Sequence, residues 1–252
     1  EAAVVVREGE QGSKRLVAYV VPDKQQTRER ARSTQSTAEH VSQWQVLYEQ
    51  TYDQPAPENV DPTFNITGWT SSYTGEMIPA EQMQEWVDCT VARIESLGLK
   101  RVLEFGCGTG LLLHRLAAAC DLYVGTDFSE AALSQLRASL RSSETRSRVV
   151  LEKRLADDLN GIGHHSFDTV VINSVAQYFP SIDYLTSVLR AAVDTLAAGG
   201  RIFLGDLRCL PLLKAFHTSV QFHLASDQMS RSELERRAAQ ALSQEGELAI
   251  DP

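Results

Sequence analysis

The segment Arg101-Val-Leu-Glu-Phe-Gly-Cys-Gly-Thr-Gly110-Leu-Leu-Leu constrains the fold more than any other stretch of the chain. A run of strand character carries Glu104 near its end, and Gly106, Gly108 and Gly110 follow at alternate positions before a helical pattern. Glycines let a backbone turn sharply and approach a ligand closely, as at the switch point of a doubly wound sheet. From Lys100 onward strand alternates with helix. Strands are expected at 101–105, 121–126, 148–153, 167–173 and 200–205, and helices at about 110–118, 129–141 and 181–197. Strands reading Val-Leu-Glu-Phe and Thr-Val-Val-Ile, joined by helical crossovers, imply an α/β fold with a parallel sheet covered on both faces. In the 181–197 helix Ser181 is the cap candidate and Asp183 favours the N-terminus. Ile182, Leu185, Val188, Leu189, Ala192, Val193 and Leu196 form one stripe there, and Gly199-Gly200 is the expected stop. Two more helices are expected at roughly 211–225 and 228–243, with no internal repeat.

Residues 1–22 read as a hairpin, with valine-rich strands at Ala3–Arg7 and Arg15–Val21, turn chemistry at Gly9–Gly12 and a stop at Pro22. A lone two-stranded hairpin is marginal in water, so this one is expected to belong to a larger sheet. With Glu1 in place of Met, the chain reads as an excerpt from a longer polypeptide. Residues 23–37 are polar, with no apolar periodicity, and read as a linker whose arginines between Arg28 and Arg32 are solvated. Helical spacing begins near Ala38 with Val41, Trp44, Leu47 and Tyr48. Residues 53–78 are loop-like, and a second helix is expected from Pro79 through Met83, Trp86, Val87, Val91 and Ile94 to Gly98.

Composition narrows the function classes. The 252 residues suffice for one domain with a full core, and 43% apolar against 23% charged is ordinary globular usage. No apolar run approaches the ~20 residues of a membrane span. Lacking such a run, the chain is not expected to have a membrane partner, and lysine and arginine total 24 against 33 acids, a net charge of -9 that repels phosphate backbones, so nucleic acid is not an expected partner either. Cys89, Cys107, Cys120 and Cys209 show no C-x-x-C spacing, which argues against a structural metal site and suits a reducing cytoplasm.

The loop itself reads E-x-G-x-G-x-G, not the G-x-G-x-x-G that seats a pyrophosphate on a helix N-terminus. An acid beside it is hostile to phosphate and friendly to an ammonium group. A second acid, Asp127, closes the next strand, where a carboxylate can accept both hydroxyls of a ribose. An adenosine-bearing ligand with an amino acid in place of phosphates satisfies both acids, and S-adenosylmethionine is such a ligand. A plain tight turn would explain the glycines alone. It does not explain the two acids.

Residues 100–206 resemble a class I S-adenosylmethionine-dependent methyltransferase core, a Rossmann-like parallel sheet. The resemblance implies that Gly106, Cys107, Gly108 and Gly110 line the methionine end of the cofactor, with Glu104 nearby. Asp127 would hold the ribose, Phe128 would lie beside the adenine, and Ala156 and Asp157 match an adenine-contacting position. Asn173 matches the residue whose backbone faces the cofactor's amino group. Asn65-Ile-Thr-Gly-Trp-Thr-Ser-Ser-Tyr-Thr-Gly-Glu76, Asn173-Ser-Val-Ala-Gln-Tyr-Phe-Pro180 and Gly205-Asp-Leu-Arg-Cys-Leu-Pro-Leu-Leu213 further resemble methyltransferase domains embedded in non-ribosomal peptide synthetases. The opening hairpin resembles part of the small C-terminal subdomain of an adenylation domain, where such an N-methyltransferase is inserted. The implied organisation is an adenylation remnant at 1–22, a linker at 23–37, a helical lid region at 38–99 and a methyltransferase core at 100–252. The family core has seven strands and only five have sequence here, so Ile202–Leu204 would present a bare sheet edge. The closing motifs of an adenylation domain are missing too, so this piece is not expected to activate amino acids.

The implied reaction moves a methyl group to the α-amine of an aminoacyl thioester held on the phosphopantetheine arm of a separate peptidyl-carrier domain. Orienting the nucleophile ~3–3.5 Å from the methyl is the protein's main task. Asn173, Gln177 and Tyr178 after the fourth strand and Asp206 after the fifth are the candidate substrate-orienting residues, because ligands bind at the carboxyl ends of such strands. Each has a plainer reading: helix-start packing for Tyr178, a surface amide for Gln177, a helix cap for Asp206. Trp69 and Tyr73 read equally as a lid over the cofactor or as core filling. His217 reads as a packed histidine, and His164-His165 as solvated. The rival readings are a carbon or oxygen methyltransferase of the same synthetase type, a non-catalytic scaffold, and a nicotinamide-binding oxidoreductase, against which Glu104 and the shortened glycine spacing count.

Overall fold

The computed structural model describes residues 2–8, 14–20, 34–53 and 61–251, which divide into two compact units, Glu1–Ser42 and Gln43–Pro252. In the first unit β1 (Ala2–Glu8) and β2 (Lys14–Val20) pair antiparallel, from Ala2 opposite Val20 to Glu8 opposite Lys14. The turn expected at Gly9–Gly12 and most of the 23–37 linker lie outside the described residues. Helix α1 spans Thr34–Tyr52, starting four residues before the expected Ala38. A first turn made of Thr, Gln and Ser carries no apolar periodicity, so hydropathy could not mark it.

In the second unit α2 (Ala80–Glu95) follows Pro79 as expected and buries Met83, Val87, Thr90 and Ile94. Five strands form one parallel sheet: β3 (Arg101–Phe105), β4 (Leu122–Asp127), β5 (Val149–Lys153), β6 (Phe167–Asn173) and β7 (Leu196–Gly205). Their order is β5-β4-β3-β6-β7. Chain direction across the sheet therefore reverses between β3 and β6, which opens a crevice at the carboxyl ends of the strands. Glu104 sits opposite Gly125 on one side and Val171 on the other.

Both faces of the sheet are covered. Alternate residues feed one layer with Val102, Leu113, Leu116, Tyr123, Leu133 and Leu136, and the other with Leu103, Phe105, Val170, Ile172, Leu185 and Val188. The crossovers are α3 (Leu113–Leu116), α4 (Glu130–Ser139) and α5 (Ile182–Thr195). Helix α3 starts three residues later than the expected 110, because the glycine loop runs on to Gly110 with a positive φ of 85°, and it continues as a 3-10 turn over Ala117–Ala119. Helix α5 ends at Thr195 and not at the glycine pair. Leu196 turns extended and pairs with Phe167, so β7 begins four residues before the expected start. The apolar stripe of α5 is narrower than the sequence suggested: Leu185, Val188 and Ala192 are buried, whereas Ile182 and Val193 are more than half exposed.

Beyond the sheet, β8 (Arg208–Cys209) pairs with β9 (Ala249–Ile250), with α6 (Leu213–His223) and α7 (Arg231–Ser243) between them. Among the described residues no helix is long and apolar enough to cross a membrane.

Candidate active site

The loop after β3 turns back on itself through three glycines at positive φ, 67° at Gly106, 50° at Gly108 and 85° at Gly110. A Cβ at Gly106 would run into Val175, and one at Gly110 would lie 2.5 Å from Leu136 Cδ1. The local requirement for glycine is therefore both torsional and steric. Cys107 N–H donates to Thr126 O, and the Cys107 side chain turns into the core beside Leu112 and Leu113. Only its backbone is available to a ligand. Burial, then the Asp127 and Glu104 charges, hold its thiol well above the ordinary value.

The two acids lie on the same face of the sheet, under the loop. Glu104 is 4% exposed, and its Oε2 accepts the Tyr123 hydroxyl at 2.9 Å. Burial raises its pKa from 4.5 to about 7, against the Tyr123 hydrogen bond and with a further push from Asp127. Asp127 grips the loop directly: Gly108 N–H donates to one carboxylate oxygen and Ser129 N–H to the other, each at 2.8 Å. Burial nevertheless raises its pKa, because those two donors offset the desolvation only in part. No cation is among the groups that chiefly act on either acid. Among the described residues, then, neither acid has a cation to offset its burial, and burial favours the protonated form of both.

Its roof comes from α1. Tyr48 packs against Phe128 (6.2 Å), Tyr178 (5.2 Å), Tyr52 (5.7 Å) and Trp44 (6.2 Å), so one aromatic cluster bridges the ends of β4 and β6. The Tyr52 hydroxyl would lie 3.4 Å from a Cβ on Gly108, and the Asp127 charge adds to burial in raising its pKa. Trp69 and Tyr73, expected either as a lid or as core filling, sit elsewhere. Trp69 packs tilted against Trp86 in the cluster around Met83, and Tyr73 packs on Phe216 with its hydroxyl 2.9 Å from Ser219 Oγ. Sequence reasoning placed Trp44 and Tyr48 on a helix but gave them no role at the site; aromatic residues at helical spacing do not say which ligand face they cover.

The quoted motif at Asn65 has a local purpose. Asn65 O accepts the Thr109 hydroxyl and its Oδ1 accepts Thr67 N–H, which pins the 61–78 loop to the glycine loop. At the carboxyl ends of β6 and β7, Asn173 is 8% and Gln177 7% exposed. Gln177 sits beside Tyr178 on a single 3-10 turn, Ala176–Tyr178. Asp206 is exposed and accepts the Ser174 hydroxyl at 2.6 Å, so it does not act as a helix cap. Ala156 packs beneath the sheet, and Asp157 lies beside Tyr184, whose phenol is raised first by burial and then by that carboxylate. His217 pairs with Glu245 Oε2 at 3.1 Å, as a packed histidine should.

The site passes a simple test for a sulfonium nucleoside. Two buried carboxylates without a cation face a loop that has no side chain at Gly108, and two buried oxygens, Glu49 Oε2 and Gln177 Oε1, have no partner among the described residues. Buried acceptors left unpaired call for donors from a ligand. An ammonium and a ribose diol supply them.

Residues 103–202 match the family model described as a methyltransferase domain. The whole chain is 48% identical over 260 residues to part of the chondramide synthase cmdD of Chondromyces crocatus, and 41% identical over 251 residues to part of a probable non-canonical nonribosomal peptide synthetase, CymA, of Salinispora arenicola. Both alignments cover 100% of this chain but only 6% and 3% of those relatives. Among solved structures, an S-adenosylmethionine-dependent methyltransferase from Clostridium acetobutylicum aligns with a TM-score of 0.45 and 22% identity over 53% of each chain.

Proposed function

Since residues 103–202 are a methyltransferase domain, in a chain homologous along its length to stretches of nonribosomal peptide synthetases, we propose that it transfers a methyl group from S-adenosylmethionine to the α-amine of a carrier-bound aminoacyl thioester. The observation that carries this reading is the pair of buried acids Glu104 and Asp127 around the glycine loop, with no cation among the described residues that chiefly act on them. Glu104 and the loop would take the amino-acid end of the cofactor, Asp127 its ribose, and Phe128, Ala156 and Asp157 its base. When bound, the cofactor supplies an already activated methyl group on sulfur.

The chain's own residues then have three tasks. The α1 aromatics exclude water from the hollow. Asn173, Gln177, Tyr178 and Asp206 orient the amine from the ends of β6 and β7. No strong base is demanded, because a free α-amine has a pKa of about 7.7–8.0 and a thioester lowers it further. Adenylation and peptidyl-carrier domains of the same synthetase are the partners, with the carrier arm raising the substrate to an effective concentration of order mM.

The test is transfer from isotope-labelled S-adenosylmethionine to aminoacyl-pantetheine thioesters, followed by location of the label. Label on nitrogen is expected. Label on carbon or oxygen would establish the rival methyltransferase reading, and NADH binding without S-adenosylmethionine binding the oxidoreductase one.

A further inference from the structure

Asn173 and Gly205 are register partners at the carboxyl ends of β6 and β7. The next residue on each strand, Ser174 and Asp206, is left-handed without being glycine, at φ 58° and 56°. Non-glycine residues persist in that region only where their surroundings over-determine them, and such places gather at functional sites. Here the surroundings are a short polar chain. Asn173 Nδ2 donates to Ser174 Oγ at 3.0 Å, and Ser174 Oγ donates to Asp206 Oδ2 at 2.6 Å. Ser174 N–H is tied to Gly205 O at 3.2 Å. Gly205 is needed for the arrangement, because a Cβ there would run into Asn173 Oδ1.

These bonds fix the polarity of the Ser174 hydroxyl. Its hydrogen is committed to a carboxylate and one lone pair to the Asn173 amide, so what remains is one acceptor site. A hydroxyl held in this way takes a hydrogen-bond donor, and its own proton has somewhere to go. The Tyr178 phenol lies on the nearby 3-10 turn, its pKa raised chiefly by burial, with the Asp206 charge a minor contribution. Arg208, two residues on, is occupied by Glu247 at 2.5 Å and lies over the Phe216 ring. Asp206 itself is exposed, which gives it an outlet to water.

We propose that Ser174 and Asp206 form the proton-accepting pair for the substrate ammonium, an inference that rests on the amine-methylating function above. The ammonium N–H breaks as a new O–H forms on Ser174, and the original Ser174 O–H breaks as one forms on Asp206. The nitrogen keeps its electron pair and becomes a neutral nucleophile; nothing is oxidised or reduced. Asp206 then releases the proton to solvent.

The test uses the full chain and an aminoacyl-pantetheine thioester that the wild type methylates. Asp206→Asn keeps an acceptor oxygen for Ser174 but cannot take a proton. Its kcat should fall by roughly tenfold at pH 6.5, the scale set by the neutral fraction of an amine whose pKa is about 7.7 or a little lower, and recover toward wild type at pH 9, where the amine is already neutral. Ser174→Ala should behave likewise. Calorimetry without the methyl donor gives a second readout: the wild type should bind alanyl-pantetheine amide more tightly than its N-acetyl counterpart, and Ser174→Ala should abolish that preference. A loss equal at every pH, no loss at all, or an unchanged preference overturns the proposal. A wild type that methylates no aminoacyl thioester overturns the function instead, and the binding comparison still decides the pair.

Discussion

Asp127 and Glu104 are both buried acids beside one loop, yet they do different work. Asp127 spends one lone pair of each oxygen on the Gly108 and Ser129 N–H groups, so it shapes the loop and still has acceptors for a diol. Hydrogen bonds to a charged group contribute about 1.5–3 kcal/mol each, so Asp127→Ala should weaken S-adenosylmethionine by at least about tenfold in calorimetry. Glu104 carries a stability cost. The folded chain holds a proton on it up to about pH 7, whereas the unfolded chain releases it near 4.5. Stability is therefore greatest below the unfolded value and falls as pH rises through the folded one, by about 3 kcal/mol for this group. Glu104→Gln should flatten that slope in urea unfolding and raise stability at neutral pH, while weakening the cofactor. A gain in stability from that substitution with undiminished binding would mean that the acid is structural. The acids and glycines were legible in the sequence because they sit within a few residues of strand ends. Ser174 was not, because nothing near it in sequence announces a bond to Asp206, 32 residues away.

Helices divide into those that build the sheet and the one that closes the hollow. In α5, Ser181 Oγ accepts Tyr184 N–H as the N-cap, a bond with no part in the loop. Ser181→Ala should cost about 1 kcal/mol in chemical denaturation and leave cofactor affinity untouched. In α1 the balance reverses. Tyr48 joins four aromatic neighbours across the hollow, and ring pairs contribute roughly 0.5–1.5 kcal/mol each beyond their burial. Tyr48→Ala should therefore release S-adenosylmethionine at least about tenfold faster in stopped-flow measurements, with the sheet's far-UV signature intact. A variant that keeps wild-type release would show that the roof is passive. The sequence marked both helices by the same apolar spacing. Which face meets a ligand depends on where the helix docks, and spacing carries no information on that.

At the scale of the molecule, the five-stranded order places β7 at one margin of the sheet, where Ile202 and Leu204 are only partly buried. An edge strand offers unpaired backbone groups to a second chain. The chain should therefore self-associate with rising concentration in sedimentation velocity; a single species across the concentration range would contradict this. The sequence by itself determined the parallel sheet, the loop at its switch point and the two acids, since strand period, glycine spacing and strand-end position are local properties. Tertiary structure alone decided that Tyr48 and Tyr52 form the roof in place of Trp69 and Tyr73. It alone turned Cys107 inward, left Glu49 and Gln177 each with an oxygen unpaired among the described residues, and set Ser174 against Asp206. Each of these depends on two segments meeting in space, and burial, which makes an unpaired oxygen or a shared proton matter, exists only once they have met.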